Sequence, residues 1–219
     1  MKNELHEPSL PESNNQTDNT QSIKKDALNR SKAITTIAIF AAIAIVLHIS
    51  PLRMPAPYLP FLIYEFWEIP IIVAFYLYGA RIGLSVASIN FSSLLVIFPG
   101  SLQAGPIYNL LAILGMILGL LAVYRVTGKT SRFKSATWLF WLTIIVAPLA
   151  RVLFMTAINT ALLPMSAPLG YGMSYEAIIP ILPLIGFFNF SVALYSILIA
   201  RMAVRVISVT TRIPVKYGV

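Results

Sequence analysis

The sequence predicts an all-α integral membrane protein of six transmembrane helices, with both termini in the cytoplasm. Composition is the first reason. Of 219 residues, 58% are hydrophobic and 11% charged, and the mean hydropathy is +0.79. Soluble domains carry about 25% charged residues. Segmentation is the second reason: apolar runs suited to crossing a membrane recur, separated by Pro/Gly-rich or basic breaks. The third is where the basic residues fall. With the N-terminus inside, six spans place 14 of the 16 lysines and arginines in cytoplasmic segments, as the positive-inside rule requires. Arg53 falls in an outer loop and Arg151 within a span. The net charge of +8 therefore reflects topology in a lipid bilayer and gives no reason to expect nucleic acid. Absence of cysteine excludes disulfides and thiolate metal sites, and two histidines are too few for a histidine-rich metal centre.

Residues 1–30 are polar, without apolar periodicity, and are expected to form a disordered cytoplasmic tail. No signal peptide is expected, because the polar lead is too long for one. The six-helix domain is expected over Ser31–Val204. Its first span, about Ala33–Ile49, contains Ala38-x-x-x-Ala42, small residues whose spacing lets helix backbones approach closely. Pro51–Pro60 holds four prolines in ten residues and is expected to be a stiff extended loop. Tyr64, Phe66 and Trp67 suit an interface, with Glu65 and Glu68 keeping that segment near water.

Pro70 fits the first turn of a second span ending near Tyr78, and Gly79–Gly83 reads as a tight turn. The third span covers about Ile82–Phe98 and the fourth about Ile107–Tyr124, the latter with Gly115-x-x-x-Gly119. A basic loop follows. Its G-K-T lacks the upstream glycine and preceding strand of a phosphate-binding loop. The fifth span is about Ala136–Leu163, with a tilt or a kink at Pro148. The sixth is about Ile178–Ala203, and residues 205–219 form a short basic cytoplasmic end.

Polar residues gather in the outer half of this layout. Arg151, Met155 and Asn159 are four apart and share one helix face. Asn159 lies near the outer end of span five, and Asn109 near the outer start of span four. Asn189 sits about 11 residues into span six, roughly 16 Å from its start. Asparagine offers an acceptor and two donors without charge, which suits the edge of a neutral heteroaromatic ring; nearby aromatics could stack on its faces. Each asparagine could equally join helices. Arg151 either binds an anionic group or pairs with Glu65, Glu68 or a helix carbonyl. Catalysis finds no support, since H-E-x-x-H, G-x-S-x-G and an acidic pair within a span are all missing. A non-enzymatic binding protein in the plasma membrane is expected.

These residues resemble the substrate-binding S components of energy-coupling factor (ECF) vitamin transporters, closest to the riboflavin-type branch. The resemblance rests on A-x-x-x-A (Ala38, Ala42), Y-E-F-W-E-I-P (Tyr64–Pro70), G-A-R-I-G, and G-P-x-x-N (Gly105, Pro106, Asn109). It continues through R-x-x-x-M-x-x-x-N-x-x-x-x-P (Arg151, Met155, Asn159, Pro164) and F-N (Phe188, Asn189). It implies an outer pocket capped by the first loop, with Asn159 and Asn189 on a flavin ring and Phe188 and Tyr64 packing nearby. Arg151 and Asn109 complete the expected substrate site. Ala38 and Ala42 would dock on a membrane T component driven by two ABC-type ATPases, which use the ATP; the chain itself needs no cofactor or metal. The lysine that riboflavin-type members carry three residues after the second asparagine is Val192 here. Another vitamin or a nucleobase-like molecule on the same fold is the alternative ligand, and a membrane assembly protein the alternative class.

Overall fold

A computed structural model describes residues 13–97, 104–129 and 136–217. Residues 98–103 and 130–135, which include parts of the expected third-span end and basic loop, the first twelve residues of the expected tail and the last two residues lie outside them. The chain divides after Thr36. The described part of the first unit is the start of α1 (Ser13–Ile49). No proline or glycine interrupts Ser13–Ile49, so the helix begins within the segment read as a polar tail. All packing below belongs to the second unit, Ile37–Val219.

That unit continues with β1 (Met54–Ala56), β2 (Leu59–Tyr64), α2 (Glu68–Tyr78), α3 (Ala80–Ile97), α4 (Ala104–Lys129), α5 (Ala136–Leu162) and α6 (Tyr175–Thr211). Five of the six described helices are long and apolar enough to cross a membrane. The exception is α2. Its 11 residues reach roughly 16 Å, about half the hydrocarbon thickness. Ile71 through Leu77 are all buried, as expected of a helix that is apolar on every side and sits inside a bundle. Ala41 and Ala44 of α1, Met116 and Leu120 of α4, Ala147 of α5 and Ile197 of α6 belong to the same core cluster.

The proline-rich segment forms an antiparallel hairpin rather than an irregular extended loop. Met54 pairs with Tyr64 and Pro55 with Ile63, with an irregularity between Pro55 and Ala56. A two-stranded hairpin has two free edges, where a proline's missing N–H need leave no bond unmade. Leu59 and Leu62 pack on a small cluster of Leu163, Ile178 and Ile185. At the other end of α2, Gly79 at φ 98° stops the helix and donates its N–H to the Phe75 carbonyl at 2.8 Å.

The Gly115/Gly119 pair does what its spacing suggests. A Cβ on Gly119 would lie 2.7 Å from Ala147 Cα, and one on Gly115 would lie 2.9 Å from Phe154 Cδ1. Here α4 and α5 pack almost backbone to backbone.

Candidate functional site

Three linked groups of polar and aromatic residues hold the hairpin end of α2. In the deepest, Arg151 Nη1 of α5 lies 2.5 Å from Glu68 Oε2, and its Nε donates to Asn189 Oδ1 of α6 at 3.0 Å. All three residues are at most 4% exposed. The carboxylate cancels the guanidinium charge, and together they join three helices. Of the two roles open to Arg151 in the sequence, the structure places it in the ion pair. Glu68 corrects an expectation: it faces the core instead of water, because it opens the one helix buried on every side.

The second group fastens the hairpin to α6. The Tyr64 ring lies 4.8 Å from that of Phe188, and the Tyr64 hydroxyl bonds with those of Tyr58 (2.7 Å) and Ser191 (3.0 Å). Tyr195 donates to the Glu65 carbonyl at 2.5 Å. Phe188, Ser191 and Tyr195 are three and four residues apart, so one face of α6 carries the whole attachment.

The third group joins α1 and α4 to the base of the hairpin. His48 Nε2 lies 3.4 Å from both Glu65 Oε2 and Asn109 Nδ2. Its ring stacks on Trp67, with centroids 4.9 Å apart. His48 is buried. The Glu65 carboxyl is pushed up to about 7, chiefly by burial and further by Glu68, while Arg53 pulls the other way. Glu65 thus leaves the watery setting expected of it as well.

Asn159 stands apart from these bonds. Its Nδ2 donates to the Met155 carbonyl of its own helix at 2.6 Å. Among the described residues its amide oxygen and second N–H have no partner, although the residue is only 5% exposed. Asn189 also donates to its own helix, at Ile185 O, 2.9 Å away, and has given its oxygen to Arg151. Spare hydrogen-bonding capacity therefore lies at Asn159 and, to a smaller degree, at Asn189. Phe188 and Tyr64 meet as a pair, and Asn109 joins the histidine group. Val192 is 3% exposed and apolar.

A groove of about 550 Å³ between α5 and α6 is lined by Val152, Thr156, Gly186 and Phe187 among others, and by none of the expected substrate residues. Ala38 and Ala42 are exposed on α1, whereas Ala41 and Ala44 face the core. Among the described residues no three side chains could hold a metal ion.

Arg151 stood out in the sequence, with its partner open among an anionic group, Glu65, Glu68 and a helix carbonyl, but the bonding roles of His48 and Tyr195 did not. One signal for Glu68 was available: only Glu65, Glu68 and Glu176 follow the polar tail, so a buried arginine had few anions to meet.

No family model and no curated protein matches this chain. Among solved structures it is similar to the S component of a bacterial ECF transporter. The identity is 25% and the TM-score 0.65, over 84% of this chain and 99% of that one. Multi-pass helical architecture and this likeness together support the S-component family for the chain.

Proposed function

We propose that this protein is the substrate-binding membrane subunit of an ECF-type importer, and that it captures a vitamin-like small molecule from outside the cell. The observation that carries the reading is the S-component likeness across nearly the whole of the solved chain. Riboflavin is the first ligand to test. In this reading Asn159 supplies the free amide edge for the ring and Asn189 its remaining N–H. Phe188 and Tyr64 pack against the ligand below the hairpin, which serves as the cap. Arg151 positions Asn189 by holding its oxygen and has its own charge met by Glu68. Asn109 acts through His48 at the hairpin base. The exposed Ala38 and Ala42 face is offered to a T component, with two ABC-type ATPases supplying energy in the plasma membrane.

Val192 favours a second reading within the same fold. A buried valine gives no polar contact where riboflavin-type members place a lysine, so a ring satisfied by amides alone, another vitamin or a nucleobase, fits the site as well.

Purified protein tests both. A yellow co-purified chromophore, or quenching of riboflavin fluorescence on titration, is expected for the flavin. Colourless protein without quenching removes it, and thermal stabilisation by another vitamin or a nucleobase then identifies the ligand class. Asn159→Ala is expected to weaken binding about tenfold or more, the cost of a lost hydrogen bond in a buried site. Its stability should barely change, because only a bond within its own helix is lost. Unchanged ligand affinity would remove Asn159 from the site.

A further inference from the structure

The far end of α2 carries a second feature. Arg81 in the first turn of α3, Arg125 near the end of α4 and Lys216 beyond α6 line one cavity of about 560 Å³, together with Ala80, Tyr124 and Tyr217. In the sequence these three cations served only to orient the chain in the membrane. Folding brings them together from positions far apart in the chain.

The C-terminal segment is held in place there. The backbone N–H groups of Lys216 and Tyr217 both donate to the Tyr76 carbonyl at 3.1 Å. The Tyr217 ring stacks on Phe75 with centroids 4.8 Å apart and lies 4.6 Å from Tyr124. A Cβ on Gly79 would fall 2.6 Å from Lys216 Cδ, so the missing side chain makes room for the lysine.

All three cations are exposed, and among the described residues no carboxylate pairs with any of them. Ala80 and Arg81 are also the first residues of the 18-residue helix α3, whose N-terminal end adds partial positive charge at the cavity wall. Three like charges and a helix N-terminus lining one cavity make it electropositive and suited to an anion.

We propose that this cavity binds a phosphate group, with the headgroup of an anionic phospholipid as the source that a bilayer offers. Arginine forks match phosphate oxygens in pairs, and lysine adds a point charge. Basic pockets between membrane helices take such headgroups. Bound there, the phosphate would tie the C-terminal segment to α3 and α4.

The full chain in neutral detergent is titrated with phosphatidylglycerol, phosphatidylcholine or inorganic phosphate. Native mass spectrometry reads retained lipid and a thermal melt reads all three. Phosphatidylglycerol is expected to bind and raise the melting temperature, with phosphatidylcholine much weaker. Arg81→Ala, Arg125→Ala and Lys216→Ala should each weaken binding about fivefold, the usual contribution of one basic residue at an anionic surface. Arg81→Lys should keep most of it. Arg205→Ala, exposed on α6 and outside the cavity lining, should change nothing. Protection by inorganic phosphate with the same variant pattern assigns the site to free phosphate; protection by the lipid alone assigns it to the headgroup. Equal binding of the two lipids, no binding at all, or an equal loss in Arg205→Ala overturns the proposal. Riboflavin affinity is a separate readout, so failure of the substrate reading leaves this result interpretable.

Discussion

A guanidinium at membrane depth must have its charge met, and the geometry around Arg151 gives that requirement a measurable consequence. Removing one member of a buried pair strands the other charge, at a cost of about 3–5 kcal/mol. Arg151→Met should therefore destabilise strongly, as should Glu68→Gln, whereas Arg151→Met/Glu68→Gln should lose clearly less than the two single losses added. Detergent unfolding curves of the four proteins make the cycle, and strict additivity would show that the pair is not coupled.

Glu65 gives a second residue-scale prediction. Burial raises its carboxyl from 4.5 to about 7, so the fold favours the protonated form. The stability this contributes is fully present below the unfolded value and is lost as pH rises through about 7. His48, Arg53 and Glu68 also act on this group, so the comparison must be with Glu65→Gln. Wild type should lose melting temperature relative to that variant between about pH 5 and 8, and parallel curves would place Glu65 in water. At this scale residue type and depth were what singled out Asn159 and Asn189 in the sequence as candidate ligand contacts. The sequence named Glu68 as one of several partners for Arg151 but could not choose it, because 83 positions separate them and only the central placement of α2 brings them together.

Apolar runs, small-residue spacing and breakers located α3, α4 and α5 to within a few residues, because those signals act within one segment, whereas α1 and α6 extend well past their apolar runs into polar sequence, to Ser13 and Thr211. The short helix and the hairpin were harder to read. An 11-residue apolar run looks like the start of a span, and its burial follows from neighbours far along the chain. Four prolines exclude a helix but do not reveal that two edges pair. Between helices α4 and α5 the spacing signal has a quantitative outcome. At Gly119 an added methyl meets Ala147 Cα at 2.7 Å, whereas at Gly186 it meets only Val152 Cγ1 at 3.6 Å. Gly119→Ala should force the two helices apart and cost about 1–3 kcal/mol, as overpacking does. Gly186→Ala should be neutral or slightly stabilising, since the helix gains alanine's propensity. Equal unfolding midpoints for the two variants would mean that α4 and α5 are not in close contact at Gly119.

For the whole molecule, the asymmetry of α1 separates what holds the bundle together from what it offers outward. From Ile37 on, Ala41, Ala44 and His48 are its buried residues, while Ala38 and Ala42 lie exposed beside Ile39, Ile43 and Val46. A bulky residue on the outer face should leave folding and ligand binding intact and act only on what packs there. Two small residues one turn apart let a second helix come close in lipid, where shape rather than hydrophobicity drives association. Under the importer reading that helix belongs to a T component. Ala38→Trp should then abolish co-purification of the coupling subunit and ATP-driven uptake, with ligand affinity and melting temperature unchanged. Ala41→Trp, pointing into the core, should instead destabilise the protein outright. Retention of the coupling subunit by Ala38→Trp would move the docking surface to another face. A parallel fall in ligand affinity would show that the outer face of α1 also supports the binding site.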